Sequence, residues 1–257
     1  MGATPCRRGE RPGLIPAPVP GGRRAQGVLP LRQTGGATLL SSRVHVSAHP
    51  LVSQKLTLLR DQATPSPLFR RTVSEISSLI AFEATSDLAL TETVVVTPLA
   101  QARGAAMAER IGLVPILRAG LGMVDGISQM LPEAPVWHIG VFRDHETLRP
   151  VPYYNKLPAR PRLDLCLVLD PMLATGGSAI AAIDMLKECA IPRIKYLGII
   201  AAPEGVQALI EAHPDVDIYL GALDDHLTPA PQKSGDPPEG YIVPGLGDAG
   251  DRQFGTA

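Results

Sequence analysis

The chain has 257 residues, of which 45% are hydrophobic, and a formal net charge of −1. This length can bury the core of one sizeable domain, whereas the near-neutral charge offers no basic field for general nucleic-acid binding. No window approaches the ~18 consecutive apolar residues of a membrane span, and the three cysteines lack paired spacing, which favours a reducing, cytoplasmic location over a disulfide framework.

Residues 1–44 differ in composition from the rest of the chain. They contain seven arginines and one acid, Glu10, for a local charge of +6, which leaves −7 for the remainder. They are rich in Pro and Gly without a helical or strand period, so we predict a disordered extension or a start codon assigned too far upstream. The alternative is an organelle transit peptide, against which the helix-breaking residues argue. The folded domain is predicted for residues 45–257.

From residue 45 onward, short apolar strands alternate with amphipathic helices. Helices are predicted at 50–62 and 67–83, and a β-branched strand at 93–97. The remaining strands are predicted at 111–117, 136–142, 163–169, 195–202 and 216–220, and the remaining helices at 120–130, 178–190 and 203–213. This alternation predicts an α/β fold with a doubly wound, mostly parallel sheet and right-handed crossovers.

Two Pro-rich stretches interrupt the alternation. Residues 143–160 contain Pro150, Pro152 and Pro158 and are predicted to form a projecting arm outside the sheet core. Residues 228–239, TPAPQKSGDPPE, are predicted to form a mobile surface loop. Because this loop immediately precedes the last motif of the chain, we expect it to alter access to any ligand bound there.

The most informative stretch is the strand–turn–helix unit at 163–190. Its strand ends at Asp170, and its turn contains Gly176 and Gly177 between the hydroxyls of Thr175 and Ser178. Free N–H groups at a helix start bind phosphate, and an acid at a strand end can accept hydrogen bonds from sugar hydroxyls. The pattern predicts a site for a phosphorylated sugar, against the alternative of an ordinary strand–helix connection. It is not a Walker loop, because no Gly-Lys-Ser/Thr is present.

Two further positions stand out. Arg118 directly follows the strand at 111–117, where its guanidinium fork suits a polyphosphate; position alone equally favours a surface arginine paired with a carboxylate. Residues 245–250, GLGDAG, fit G-x-G-x-x-G, but no βαβ unit follows, so a dinucleotide fingerprint is not supported. So many glycines instead predict main-chain groups that line a small planar ligand.

The segment DPMLATGGS resembles the phosphoribosyl-pyrophosphate (PRPP) loop of type I phosphoribosyltransferases, in the form found in uracil phosphoribosyltransferases. Most of the superfamily has a second acid where this chain has Pro171. Six further segments are similar to that family in order and spacing: HPLVSQKLTLLRD, FEATSDL, VPILRAGLGM, AAPEG, AHPDVDIY and YIVPGLGDAGDRQFGT. The resemblance therefore spans most of residues 45–257, with a loop at 228–239 that is longer than usual in the family.

The resemblance implies transfer of the phosphoribosyl group of PRPP to uracil, giving UMP and pyrophosphate in pyrimidine salvage. It implies the type I fold with its projecting arm and C-terminal base-binding loop. The residues implied to bind PRPP are Arg118, Arg143, Asp170, Pro171, Met172, Leu173, Ala174, Thr175, Gly176, Gly177, Ser178 and Asp248. Those implied to bind uracil are Ile242, Gly247, Asp248 and Ala249. Catalytic roles are implied for Asp170, Arg118 and Asp248, and no general base is assigned, Asp248 being one candidate.

The resemblance also implies partners. Mg²⁺ is expected to arrive on PRPP oxygens rather than in a protein cage. A homodimer or dimer-based tetramer is expected, with GTP as an activator in some members, and no nucleic acid or membrane. Arg149 and Lys156 are weaker candidates for screening pyrophosphate, and Tyr241 is expected in the core. Two alternatives stay open: a transferase that takes a purine, and a non-catalytic regulator that binds nucleic acid, for which the domain has no basic face.

Overall fold

A mostly parallel sheet organises the chain. The computed structural model describes residues 42–143, 150–158 and 161–256. Most of the 1–44 extension and part of the predicted arm, with Arg149, therefore lie outside the described residues. The strands are β1 (Val44–Val46), β2 (Leu90–Val96), β3 (Gln101–Met107), β4 (Ile111–Leu117), β5 (Ile139–Arg143), β6 (Pro150–Asn155), β7 (Leu165–Leu169), β8 (Met172–Leu173), β9 (Arg193–Ala201), β10 (Asp217–Leu223), β11 (His226–Leu227) and β12 (Ile242–Val243). The helices are α1 (Pro50–Arg60), α2 (Ser66–Ala84), α3 (Leu121–Ser128), α4 (Gly177–Glu188), α5 (Pro203–Ala212) and α6 (Ala249–Phe254).

The central sheet has the strand order β1-β10-β9-β7-β4-β5-β6, with β8 beside β9. Its pairs are parallel except for β5 with β6, which is antiparallel. The chain adds β5 on one side of β4 and then returns to add β7 on the other side. Parallel sheets bind ligands where the strand order reverses in this way, so the carboxyl ends of β4 and β7 mark the expected site.

Helices cover both faces of the sheet. On one face α1, α2 and α3 bury residues such as Val73 and Ile76 against the sheet, and on the other α4 and α5 bury residues such as Ala182 and Leu209. All five residues of β7 are buried, as expected for a parallel strand covered on both faces. The prediction of a doubly wound, mostly parallel α/β fold is confirmed.

The structure departs from the prediction at the margins of the sheet. Residues 150–155, predicted to lie in an arm, form the antiparallel edge strand β6, where Pro150 and Pro152 are tolerated because an edge strand does not need every N–H. The sequence predicted a strand at 93–97 but not its partner β3, whose Gly and Ala residues have low strand propensity. Strand β1 begins at Val44, one residue before the predicted boundary, and pairs with β10.

Within the described ranges, no helix combines the length and the apolar character that a membrane crossing requires.

Candidate active site

Two predicted site residues end neighbouring strands. Arg118 follows β4 and Asp170 follows β7, and these two strands pair in parallel up to Pro115 opposite Leu169. The peptide bond between Leu117 and Arg118 is cis. A Cβ on Gly120 would lie 2.3 Å from the carbonyl oxygen of Leu169, so glycine is needed where this turn crosses β7. The turn thereby holds Arg118 at the same sheet edge as Asp170.

Hydrogen bonds from β9 fix the start of the loop from Asp170 to Ser178. The carbonyl of Pro171 accepts hydrogen bonds from the N–H groups of Ile199 and Ile200, both at 3.0 Å. Gly176 has a φ of +83° and is the N-cap of α4, so no side chain covers the first-turn N–H groups. Thr175 is exposed beside this helix end. The arrangement is that of an anion cradle.

Asp170 has unusual electrostatics. Burial and, secondarily, the negative charge of Asp248 raise its pKa to about 7, although an N–H from Met172 at 3.5 Å opposes the shift. The hydroxyl of Tyr196 donates to the main-chain carbonyl of Asp170 at 3.0 Å, and burial raises the pKa of that phenol as well. Asp170 therefore lies close enough to Asp248 for the two carboxylates to repel each other.

The C-terminal motif forms a tight loop before α6. The Val243–Pro244 bond is cis, Gly245 and Gly247 have φ of +64° and +76°, and a Cβ on Gly245 would lie 2.1 Å from the carbonyl oxygen of Ile242. Asp248 caps α6 by accepting a hydrogen bond from the N–H of Asp251 at 2.8 Å. The glycines thus have a structural reason in this loop, because only they tolerate these backbone conformations.

An ion pair joins the end of β4 to the C-terminal helix α6. Nη2 of Arg118 lies 3.1 Å from Oδ1 of Asp251, and 57% of the arginine side chain is exposed. The Thr256 hydroxyl, and then Arg118, lower the pKa of Asp251. A Cβ on Gly250 would lie 3.2 Å from Asp248 Oδ1 and 3.8 Å from Arg118 Nη2, so both side chains reach the first turn of α6.

Most of the predicted site residues therefore meet at one sheet edge: Arg118, the 170–178 loop and the 242–249 segment. Arg143 is the last residue of β5, and its side chain lies outside the described residues. Lys156 is exposed just after β6. Tyr241 was expected in the core but is 40% exposed, so that prediction is wrong. It lies between the 228–239 loop and β12.

Three contacts escaped the sequence reasoning. Asp251 pairs with Arg118. Gly205 of α5 lies so close to the 170–178 loop that a Cβ there would be 2.2 Å from the carbonyl oxygen of Ala174. The buried amide of Gln253 donates to the carbonyls of Ala119 and Ala249, both at 3.0 Å. The AAPEG segment contains Gly205, but no local periodicity reports contacts between residues so far apart in the chain.

The 228–239 loop connects β11 to β12, which pair antiparallel. Thr228 ties its ends together: its hydroxyl donates to Pro238 O at 2.5 Å and accepts from the N–H of Tyr241 at 2.8 Å. The residues between are mostly exposed, as predicted for a surface loop. The loop thus leads directly into the C-terminal motif.

Known proteins resemble this chain over nearly all of its folded part. The profile of the uracil phosphoribosyltransferase family matches residues 46–256. A uracil phosphoribosyltransferase of Roseiflexus castenholzii is 62% identical over 214 residues, which is 83% of this chain and 99% of that protein. Another, of Halalkalibacterium halodurans, is 55% identical over 216 residues, 84% of this chain and 99% of that protein. The solved structure of the AQ2163 protein of Aquifex aeolicus, 35% identical, matches with a TM-score of 0.76 over 83% of this chain and 99% of that one.

Proposed function

The chain belongs to the uracil phosphoribosyltransferase family, and we propose that it transfers the phosphoribosyl group of PRPP to uracil, giving UMP and pyrophosphate in pyrimidine salvage. One observation carries this proposal: a phosphate cradle, an exposed arginine and a glycine-rich loop with tightly constrained backbone meet at the switch point of the sheet. Each has a separate task in the reaction.

The 170–178 loop binds the 5-phosphate of PRPP through first-turn N–H groups and the hydroxyls of Thr175 and Ser178. Arg118 binds the pyrophosphate, for which it leaves Asp251. An exposed ion pair of this kind stabilises a protein by about 0–1 kcal/mol, whereas charge-assisted contacts to phosphate are stronger. PRPP therefore displaces the Arg118–Asp251 contact at little cost.

The carboxylate of Asp170 interacts with the ribose hydroxyls and stabilises the positive charge that develops on the ribose in the transition state. The site fits Mg²⁺, because Asp170 and Asp248 supply hard oxygen ligands whose mutual repulsion a cation would relieve. Mg²⁺ arriving on PRPP would neutralise part of the charge on the departing pyrophosphate. The described residues gather no cluster of three or more His, Cys, Asp or Glu side chains for a metal cage.

Uracil presents an acceptor, a donor and an acceptor along O4, N3–H and O2. Main-chain N–H and C=O groups of Ile242, Gly247, Asp248 and Ala249 form the complementary hydrogen bonds. The positive φ angles of Gly245 and Gly247 shape the loop that presents them. N1 of uracil must lose a proton, and Asp248 is one candidate acceptor, because its carboxylate lies near the first turn of α6 that Arg118 also reaches and close enough to Asp170 to raise the pKa of that carboxyl.

The family resemblance also supports a cytoplasmic homo-oligomer, a dimer or a tetramer built from dimers. The β2–β3 hairpin exposes large apolar side chains, with Val94 64%, Val96 81% and Leu99 97% exposed, as expected of a surface that meets another subunit. Light scattering behind size exclusion measures the oligomeric state. The same preparation assayed with and without GTP tests activation by that nucleotide.

The experiment that tests the function is a steady-state assay of the full chain with PRPP, Mg²⁺ and uracil, with UMP as the measured product. Cytosine is the matched control base, because its unprotonated N3 and its amino group would face the wrong main-chain partners. Sites built from buried hydrogen-bonding groups reject such mismatches by roughly 10⁴ or more. Near-equal kcat/KM for the two bases would contradict main-chain recognition, and nucleotide formation from hypoxanthine instead would favour the purine alternative.

A further inference from the structure

One partly buried ion pair holds Gly245, the first residue of the glycine-rich 245–250 loop. Asp224 follows β10, and its side chain is 3% exposed. Its carboxylate accepts hydrogen bonds from Nη1 and Nη2 of Arg60, the last residue of α1. Nη1 of Arg60 also donates to the carbonyl of Gly245 at 2.7 Å, and Oδ2 of Asp224 accepts from the N–H of Gly245 at 2.9 Å. Both polar main-chain groups of Gly245 are therefore bound by the same pair.

A second arginine holds the next residue of the loop onto the same end of α1. Arg252, on α6, donates to the carbonyl of Leu246 at 2.7 Å, to that of Asp61 at 2.6 Å and also to that of Leu59. Its guanidinium stacks on the ring of Phe69 at 4.3 Å. Arg60 thus extends from α1 to the C-terminal motif, and Arg252 extends from α6 back to the end of α1.

We propose that Arg60 and Asp224 are positioning residues for uracil recognition, because their ion pair fixes Gly245 and thereby the spacing of the main-chain groups at Gly247, Asp248 and Ala249. This inference rests on the proposed function. Main-chain groups cannot adapt by a change of rotamer, so their alignment depends on whatever fixes the loop. Misplacement by about 1 Å can cost on the order of 10²-fold in rate.

The effect is selective for the base. The phosphate loop is held by β9 and by Gly205, and Arg118 is held by β4 and the Gly120 turn, and neither depends on Asp224. Of the residues proposed to bind PRPP only Asp248 follows Gly245, so loosening Gly245 weakens uracil binding and base discrimination much more than it weakens the handling of PRPP.

The test is Arg60→Lys, with Asp224→Asn as a second variant in case the first unfolds. Lysine keeps the charge but lacks the planar fork that reaches Asp224 and Gly245 together. The matched control is Arg193→Lys, because Arg193 is likewise a partly exposed arginine that forms ion pairs, here with Asp87 and Glu109. It lies at the amino-terminal end of β9, away from the carboxyl-terminal strand ends that form the site. KM for uracil, KM for PRPP, the uracil-to-cytosine ratio of kcat/KM and the melting temperature are measured for each.

We expect Arg60→Lys and Asp224→Asn to raise KM for uracil about tenfold or more and to lower the uracil-to-cytosine ratio by a similar factor, with KM for PRPP within about threefold of the parent. Arg193→Lys should lower the melting temperature without changing either base parameter. A folded Arg60→Lys or Asp224→Asn with unchanged uracil KM and base ratio overturns the proposal, as does an equal rise in both KM values. A parent chain that forms no UMP would instead overturn the proposed function itself.

Discussion

Arg118 is exposed at the sheet edge, where its guanidinium pairs with the carboxylate of Asp251. We expect Arg118→Ala to lower kcat/KM for PRPP by a factor that corresponds to about 2–4 kcal/mol, because a charge-assisted contact to pyrophosphate is lost. The melting temperature should stay within a degree or two, since the exposed pair contributes little. Asp251→Asn is the control, because it removes the pair and keeps the arginine. A change of less than about threefold in a folded Arg118→Ala variant would contradict the assignment.

Asp170 makes stability depend on pH. Its ordinary pKa is 3.8, and burial and Asp248 raise it to about 7 in the folded protein. Because the pKa is higher in the folded than in the unfolded protein, the protonated form of Asp170 stabilises the fold. This contribution to the free energy of unfolding is fully present below about pH 4 and is lost as the pH rises through about 7. Each pKa unit corresponds to about 1.4 kcal/mol, so the loss amounts to about 2–4 kcal/mol.

Asp170→Asn removes this titration while keeping an oxygen for the N–H of Met172. We therefore expect the variant to gain stability relative to the parent as the pH is raised from 4 to 8, with little difference at pH 4. Chemical denaturation at several pH values measures this. A difference in stability that does not change with pH would show that Asp170 is ionised throughout in the free protein.

At this scale, the sequence predicted the position of a residue in the fold where that position follows from its local context. Asp170 and Arg118 each follow a recognisable apolar strand, and parallel strands bring their carboxyl ends to one edge. The pairing of Arg118 with Asp251 spans 133 positions of the chain. No residue pattern near either position encodes such a contact, because it arises only when the C-terminal helix docks.

Helix α5 supports the 170–178 loop through Gly205. A Cβ there would lie 2.2 Å from the carbonyl oxygen of Ala174 and 2.7 Å from that of Leu173, both main-chain atoms that cannot rotate away. We expect Gly205→Ala to destabilise the protein by about 1–3 kcal/mol and to raise KM for PRPP, because the loop must shift. Gly104→Ala is a suitable control, since the atom nearest to its added Cβ, Cγ2 of Thr93, lies at an ordinary van der Waals distance of 3.4 Å and its φ is not in the left-handed region. Wild-type PRPP kinetics in the Gly205 variant would show that the loop tolerates the shift.

Helix α4 ends on a residue in the left-handed conformation that is not glycine. Ala190 has a φ of +56°, and the N–H groups of Ala190 and Ile191 donate to the carbonyls of Lys187 and Leu186, the pattern of a Schellman motif. Ala190→Gly should therefore stabilise the protein by about 0.5–1 kcal/mol, or about 1–4 °C in melting temperature.

The control for that change is Ala181→Gly within the same helix. Glycine in a helix interior costs about 1 kcal/mol relative to alanine, so the two substitutions should shift the melting temperature in opposite directions. Equal destabilisation by both would mean that Ala190 is not strained at the helix end.

Among the elements, those with a strong period were predicted to within a few residues, and those without one were missed. Helix α2 was predicted at 67–83 and spans Ser66–Ala84, because its apolar face has a clear helical spacing. Strand β3 has small residues and no buried face, and β6 contains two of the prolines that predicted an arm. Such strands are specified by the neighbour they pair with, which local sequence does not reveal.

For the whole molecule, we expect deletion of residues 1–41 to change neither UMP formation nor the melting temperature. The segment has no apolar period with which to dock, and the family match begins at residue 46. Deletion of residues 1–48 is the contrasting variant, because it removes β1 and the contacts of Arg43 with Asp215 and Asp217 and exposes the edge of β10. A drop of several degrees with the shorter deletion would show that the extension packs on the domain.

Arg60 and Arg252, which link α1 to the C-terminal motif, also imply an order of events during synthesis. Arg252 binds main-chain carbonyls at Leu59 and Asp61, some 190 positions earlier in the chain. Chains fold as they leave the ribosome, beginning with the N-terminal part. The sheet, the phosphate cradle and Arg118 can therefore assemble while the base loop has not yet emerged. If the proposed function holds, a nascent chain would complete the elements that hold a phosphorylated sugar before the loop that selects a base.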